Sequence, residues 1–267
     1  MKKMLLGIIF LLSVGLFFIA PSKASADEID DFLDKYNLSG VELDNFEARE
    51  QAVRQKRDIG LDDSAIKKEY TDLIKKGELD NTITYSEFYE FVTYPEPKDP
   101  VVEHARKKRD IQRPQAGDIL VTNSTSSSPI VGHAGIYLGD GTILSIDGPK
   151  KHPSTISLFQ WMIARNSTKD TWTKVYRPKA AYKPAQSANW GNNNIRGKNF
   201  SYGITGAPTS LDPTYCSKIV FHSYWFANNG NGMIIPGRLV SPYALPNMFV
   251  DYGHADHVAT YTWRNIA

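Results

Sequence analysis

A single cysteine in 267 residues excludes any internal disulfide framework, and with it the small stapled folds common among exported proteins. An excess of either charge is also missing, since 31 Lys plus Arg stand against 29 Asp plus Glu. Nucleic-acid binding wants a strong basic excess, so that partner class drops out. Metal-ligand clusters are absent too. His254-Ala255-Asp256-His257 is half a zinc site, without the further ligand and rigid element that zinc requires. Ile83-Thr84-Tyr85-Ser86-Glu87-Phe88 resembles the exit of a calcium loop, but the alternating acidic ligands and the central glycine are not there. Neither a metal nor a cofactor is expected.

What is present begins with an apolar run, Leu5 to Ala20, behind Lys2 and Lys3 and ahead of Ala24-Ser25-Ala26. A basic start, an apolar core and a small-residue cleavage site read as a secretory signal peptide over residues 1–26; a retained membrane anchor is the alternative, which Pro21 and the Ala-x-Ala end disfavour. Loss of the signal removes Lys2, Lys3 and Lys23, so 28 basic residues face 29 acids and the formal charge falls to −1. The expected product is exported, secreted or envelope-associated, with no stable membrane span after cleavage. At about 240 residues it can bury a proper core.

Residues 27–110 read as a helical, highly charged N-terminal region. Ile29, Phe32, Leu33 and Tyr36 fall at helical spacing, while Asn45 to Arg57 is mostly charged. Asp62-Asp63-Ser64 starts a helix with Ile66, Tyr70, Leu73 and Ile74 as its apolar stripe and Gly77 as its stop. A second helix is expected from Ser86 to Val92, followed by the stiff Tyr94-Pro95-Glu96-Pro97 break. This region is expected to pack as an appendage on the following domain, residues 111–267. The basic run Arg106-Lys107-Lys108-Arg109 joins the two.

From Gln115 the texture changes to strands and turns. Ala116 to Thr122 reads as a strand entered by a Gly-Asp turn, and Val131 to Gly139 with Thr142 to Asp147 as a hairpin closed through Gly139-Asp140-Gly141. His133 begins the first hairpin strand. Ser145 lies in the second, on the same face as Asp147 by the period of two. Gly132 and Gly135 leave space around the imidazole for a backbone or a substrate.

The lone cysteine sits in Asp212-Pro213-Thr214-Tyr215-Cys216, ahead of an apolar-periodic run that closes at Asn228-Asn229-Gly230. Asp212 as N-cap and Pro213 at the first helical position place Cys216 in the first turn. There the helix dipole favours a thiolate, which suits a nucleophile; a small buried hydrophobe is the alternative. His222, six residues on, faces roughly 240° away and cannot be its base; it reads as a surface or core-edge residue. His152 and His104 read as solvated. Asn189 to Asn194 is expected as a polar loop flanking a cleft, and the aromatics as core.

Gly117-Asp118-Ile119-Leu120, then Gly132-His133-Ala134-Gly135-Ile136-Tyr137-Leu138-Gly139-Asp140-Gly141, then Tyr215-Cys216-Ser217-Lys218-Ile219-Val220 resemble the circularly permuted papain-like amidases of the YaeF/YiiX type, relatives of the NlpC-type cell-wall cysteine peptidases. Phe200-Ser201-Tyr202-Gly203 and Val240 to Leu245 fit as well, so the resemblance spans roughly Gln115 to Pro246. It implies an α+β fold, a papain-like antiparallel sheet with the cysteine helix packed against it. It implies Cys216 as nucleophile and His133 as base. In the relatives a His, Glu, Asn or Gln of the next strand holds the imidazole. The matching position is Ser145, an atypical residue for that role, with Asp147 two residues on as a substitute. The Cys216 backbone N–H would serve the oxyanion, and Tyr202 or Tyr215 a second substrate contact. The implied function is an exported cysteine hydrolase cleaving an amide, with a cell-wall peptide or related small amide as substrate. A lipid- or acyl-directed hydrolase or acyltransferase on the same site is one alternative; a non-catalytic envelope-binding module is another.

Overall fold

The computed structural model describes residues 62–97, 113–125, 131–166, 171–234, 237–251 and 253–262. The expected signal peptide, the charged segment 45–57 with the apolar positions before it, His104 and the basic run 106–109 lie outside them.

Two helices come first. In α1 (Asp63–Lys76) the Asp62 carboxylate caps the start by accepting the Ser64 N–H at 3.2 Å, and Gly77 closes the end in the left-handed conformation at φ 70°. α2 (Tyr85–Thr93) begins one residue before Ser86. Thr84 caps it reciprocally with Glu87, satisfying two otherwise orphaned N–H groups. Ile66 and Leu73 of α1 and Phe88, Phe91 and Val92 of α2 join the same apolar cluster as the sheet and the cysteine helix. The pair is therefore packed on the remainder of the molecule through a shared core.

The sheet is built from β1 (Ile119–Thr122), β2 (His133–Tyr137), β3 (Thr142–Ser145), β4 (Ser154–Ser157), β5 (Trp172–Arg177) and β6 (Asp256–Thr262). Its order is β4-β3-β2-β1-β5-β6, and every neighbouring pair is antiparallel. The β2–β3 hairpin turns at Gly139 and Gly141, whose φ of 86° and 85° a side chain would resist. β1 is shorter than Ala116–Thr122 because Gly117 (φ 91°) and Asp118 form the entry turn, with the Arg177 guanidinium clamping the Asp118 carboxylate at 2.7 Å.

Side chains alternate across the sheet, and each face has its own cover. Leu120, Tyr137, Ile143, Val175 and Tyr261 pack under α3 (Leu158–Arg165) through Leu158, Trp161 and Met162. Ile119, Val121, Ala134, Ile136 and Leu144 face the cysteine helix, α5 (Cys216–Ala227), which α4 (Pro184–Asn194) flanks. The segment expected as a polar loop, Asn189 to Asn194, is the end of α4. Gly191 lets it approach α5 so closely that a Cβ there would lie 2.6 Å from Ser223 Oγ. The first nine residues of α5 are all buried, so it is the central helix. The architecture is α+β, an antiparallel sheet with a packed cysteine helix, as the papain-like expectation required. Among the described residues no helix is long and apolar enough to cross a membrane.

Candidate active site

Cys216 is the first residue of α5, with Tyr215 as its N-cap. The helix therefore starts three residues later than Asp212 and Pro213 led one to expect. The Asp212 carboxylate is engaged elsewhere, accepting the Ser201 N–H at 2.7 Å and its hydroxyl at 2.8 Å, and Thr214 pairs with Tyr202 in a short parallel bridge. Those bonds hold 212–214 out of the helix, with bends at Asp212 and Pro213 and the bridge at Thr214. The later start sets the sulfur at the leading edge of the helix, where backbone N–H groups have no intrahelical acceptor.

His133, at the head of β2, meets that sulfur. The two side chains share a hydrogen bond although the imidazole projects from the face that carries Trp161 and α5 packs on the other. The ring stacks on Trp161 of α3 at 5.2 Å and 23°, while Cys216 belongs to the cluster on the other face. They join at the strand end. Gly132 and Gly135 serve protein packing there: a Cβ at 132 would come 2.7 Å from the Tyr243 ring, and one at 135 would come 2.5 Å from Ile143. The space expected for a substrate is filled by those neighbours.

Ser145 and Asp147 both reach the far nitrogen. Ser145 Oγ lies 3.1 Å from His133 Nε2 and donates to the Ala134 carbonyl at 2.7 Å. A hydroxyl has one proton, and here it is committed, so the oxygen accepts from Nε2–H. That selects the tautomer in which Nδ1 carries the lone pair, and Nδ1 is the nitrogen left for the sulfur. Asp147 Oδ1 stands 3.5 Å from Nε2 and adds the negative charge that serine lacks.

Two further groups were not singled out in the sequence. Arg165 bonds Asp147 Oδ1 at 2.6 Å and lies 5.5 Å over the Trp161 ring. Trp161 in turn donates to Thr173 at 3.3 Å. The i, i+4 spacing of Trp161 and Arg165 in Leu158–Arg165 was the available signal, since it puts both on one helix face.

Burial is the largest influence on each member of the pair, and it disfavours both charges. For Cys216 it is outweighed by the His133 charge and hydrogen bond and by the N–H groups of Ala134 and Ser217, so the thiol lies below its ordinary value. For His133 it is outweighed by the Cys216 charge and by hydrogen bonds to Asp147 and Cys216, with Arg165 opposing, so the imidazole lies above its ordinary value. Asp147 is held low by its hydrogen bond from His133, against burial. A thiolate–imidazolium pair is the form this corner favours.

The other residues fall elsewhere. Tyr215 is sealed in the core with its hydroxyl accepting the Val240 N–H at 2.8 Å, so the substrate contact expected of it is not available. Tyr202 is half-buried in its bridge to Thr214. His222 is fully buried rather than at a surface or core edge; its Nε2 bonds the Pro208 carbonyl at 2.7 Å, and burial pushes it down to about 4. Lys218, one turn earlier on that face, donates to the Pro213 carbonyl at 2.8 Å and to Thr205, and burial lowers it to about 8. His152 is exposed, its Nδ1 2.9 Å from the Phe200 carbonyl. His254 and Asp256 are 3.9 Å apart and His257 bonds Thr260, and among the described residues no three ligands gather for a metal.

A Bacillus thuringiensis protein described as an uncharacterized 30.3 kDa protein is 35% identical over 156 residues, 55% of this chain and 57% of the relative. The chain thus spans little more than half the length of the curated relative it matches. No solved structure matches it. Residues 91–261, from the end of α2 through β6, match the family described as lipoprotein N-acylation protein LnsA-like, and the chain belongs to that family, whose fold is papain-like of the YaeF/YiiX kind.

Proposed function

We propose that this protein is a cysteine-dependent acyl-transfer enzyme, exported to the cell envelope, with Cys216 as nucleophile, His133 as base, and Ser145 and Asp147 orienting the imidazole. The observation that carries the reading is the buried Cys216–His133 contact, with the far imidazole nitrogen tied to Ser145 and Asp147. The thiolate attacks an acyl carbonyl carbon, forming a C–S bond. The tetrahedral oxyanion is met by N–H groups at the start of α5. Collapse breaks the bond to the leaving oxygen or nitrogen, which takes the proton from the His133 imidazolium. An incoming amine or water then gives its proton to His133, attacks the thioester and releases the thiolate.

The family description, lipoprotein N-acylation, favours an acyl ester as donor and an amine as acceptor, ahead of cleavage of a wall-peptide amide. The separating experiment is intact-mass spectrometry after incubation with a long-chain acyl ester in detergent. The expected result is a mass increase equal to the acyl group on Cys216, removed by hydroxylamine and absent in C216A. A hydroxylamine-labile adduct formed with a muropeptide amide and with no ester would restore the peptidase reading. Neither adduct, with a thiol no more reactive than free cysteine, would leave a non-catalytic module.

A further inference from the structure

Counting back from Glu87 as the twelfth position of a calcium loop puts Lys76 first, Glu78 third, Asp80 fifth, Thr82 seventh and Thr84 ninth. The first position carries the wrong charge and the sixth is Asn81 where glycine is needed, so a calcium ion has no full ligand set. A cation is nevertheless seated there. Arg238 Nη1 donates to the Thr82 carbonyl at 2.7 Å, the ligand of the seventh position, and lies 3.3 Å from both Glu87 oxygens, the bidentate ligand of the twelfth. Its Nη2 donates to Thr82 Oγ1 at 2.6 Å. Asp80 accepts from Thr82 and Gly206, and Arg238 lowers its pKa further. A Cβ at Gly206 would come 2.4 Å from Nη2, so a side chain there would displace the guanidinium.

The same loop is tied to the start of α5 by three routes. Two residues beyond Arg238, Val240 gives its N–H to Tyr215 Oη at 2.8 Å and its carbonyl takes the Ser217 hydroxyl at 2.7 Å, the residues flanking Cys216. Ile204 exchanges backbone bonds with Glu78 and Asp80 at 2.8 and 2.9 Å, and the adjoining Gly203 N–H bonds Thr214 at 3.0 Å. Phe91 meets the Tyr215 ring edge-on at 6.2 Å.

We propose that the α1–α2 loop is a cation site occupied by the protein's own Arg238, and that through this clamp the helix pair positions the leading edge of α5. Arg238 is a positioning residue for Cys216, an inference that rests on the nucleophile reading above. The test follows the alkylation rate of Cys216 by iodoacetamide against pH in the full chain, together with the melting temperature. R238Q and E87Q are each expected to move the profile to higher pH and to slow alkylation at pH 7 by about five- to tenfold, through loss of one charge-assisted contact. The double variant should be no slower than the slower single, since both remove one contact. R238K should recover part of the rate. Should R238Q fail to fold, G206A displaces the guanidinium with both charges kept, and the same shift is expected. Millimolar calcium should leave the wild-type profile and melting temperature unchanged; a calcium-dependent rise in melting temperature would make the occupant a metal and overturn the proposal. A lower melting temperature with an unmoved profile would also overturn it, leaving a plain brace. A wild-type thiol no faster than free cysteine would instead remove the nucleophile reading, and this inference with it.

Discussion

His133 and His222 are both sealed from solvent, and the same burial ends in opposite charge states. His222 meets a carbonyl oxygen and, one turn back along α5, the Lys218 ammonium. Its imidazolium gains one weak acceptor and a like charge, so it stays neutral down to about pH 4. His133 meets a thiolate on one side and a carboxylate on the other, and these lift it above its ordinary value in spite of burial. Desolvation is thus the common background, and the partners decide the sign. Of these two buried imidazoles, the one bracketed by the thiolate and the carboxylate is the poised acid–base group.

Breaking the bracket at its centre has the largest effect. H133A is expected to cut acyl transfer by roughly 10³-fold while leaving the fold intact, as measured by turnover beside a melting curve. A variant retaining wild-type turnover would show that another group activates Cys216. Next is D147N, which keeps the shape and removes one of the two anions. His133 should then hold its proton less tightly. The thiolate–imidazolium form exists above the Cys216 pKa and below the His133 pKa, so its window should narrow from the alkaline side, and with it the pair's contribution to stability. The acyl-transfer rate on the alkaline limb of its pH profile should fall by about tenfold, as one unit of lost pKa coupling moves that limb down. An unchanged rate would leave Ser145 as the sole orienter.

The smallest effect lies on the other histidine and is read in stability alone. Because the folded-state value of His222 is lowered below that of the unfolded chain, its contribution is complete above about pH 6.5 and lost as pH falls toward 4. That gap corresponds to about 3 kcal/mol at most. H222Q, which can still donate to the Pro208 carbonyl, should flatten the acid side of the stability curve and leave activity at pH 7 untouched. Acid unfolding with an unaltered slope would assign that pH dependence to other groups.

Much of this was legible one residue at a time. The helix at Asp62-Asp63-Ser64 and its stop at Gly77, and the hairpin at Gly139-Asp140-Gly141, are local decisions made by capping and turn chemistry, so spacing reveals them. The pairing of Cys216 with His133 came from a resemblance, since 82 intervening positions separate them and no periodicity links the two. By sequence Asp212 reads as the cap of α5, but Ser201 claims its carboxylate and the helix begins at Cys216. Asn189 to Asn194 looked like a loop because a polar composition hides the one glycine that lets it dock as helix. Trp161 and Arg165 carry little signal in sequence beyond their spacing, since an aromatic and a cation on a short helix have many ordinary uses.

By itself, then, the order of residues determined the lone thiol, the strand that bears the imidazole, the α+β pattern and the near-neutral charge. Tertiary structure decided which atoms face which: that Ser145 spends its proton on Ala134 and so accepts from His133, that Asp147 shares itself between His133 and Arg165, and that Arg238 reaches Thr82 and Glu87 of the α1–α2 loop. Those choices depend on side chains from distant elements competing for the same few hydrogen-bonding atoms, and a competition of that kind is settled only when the elements have packed.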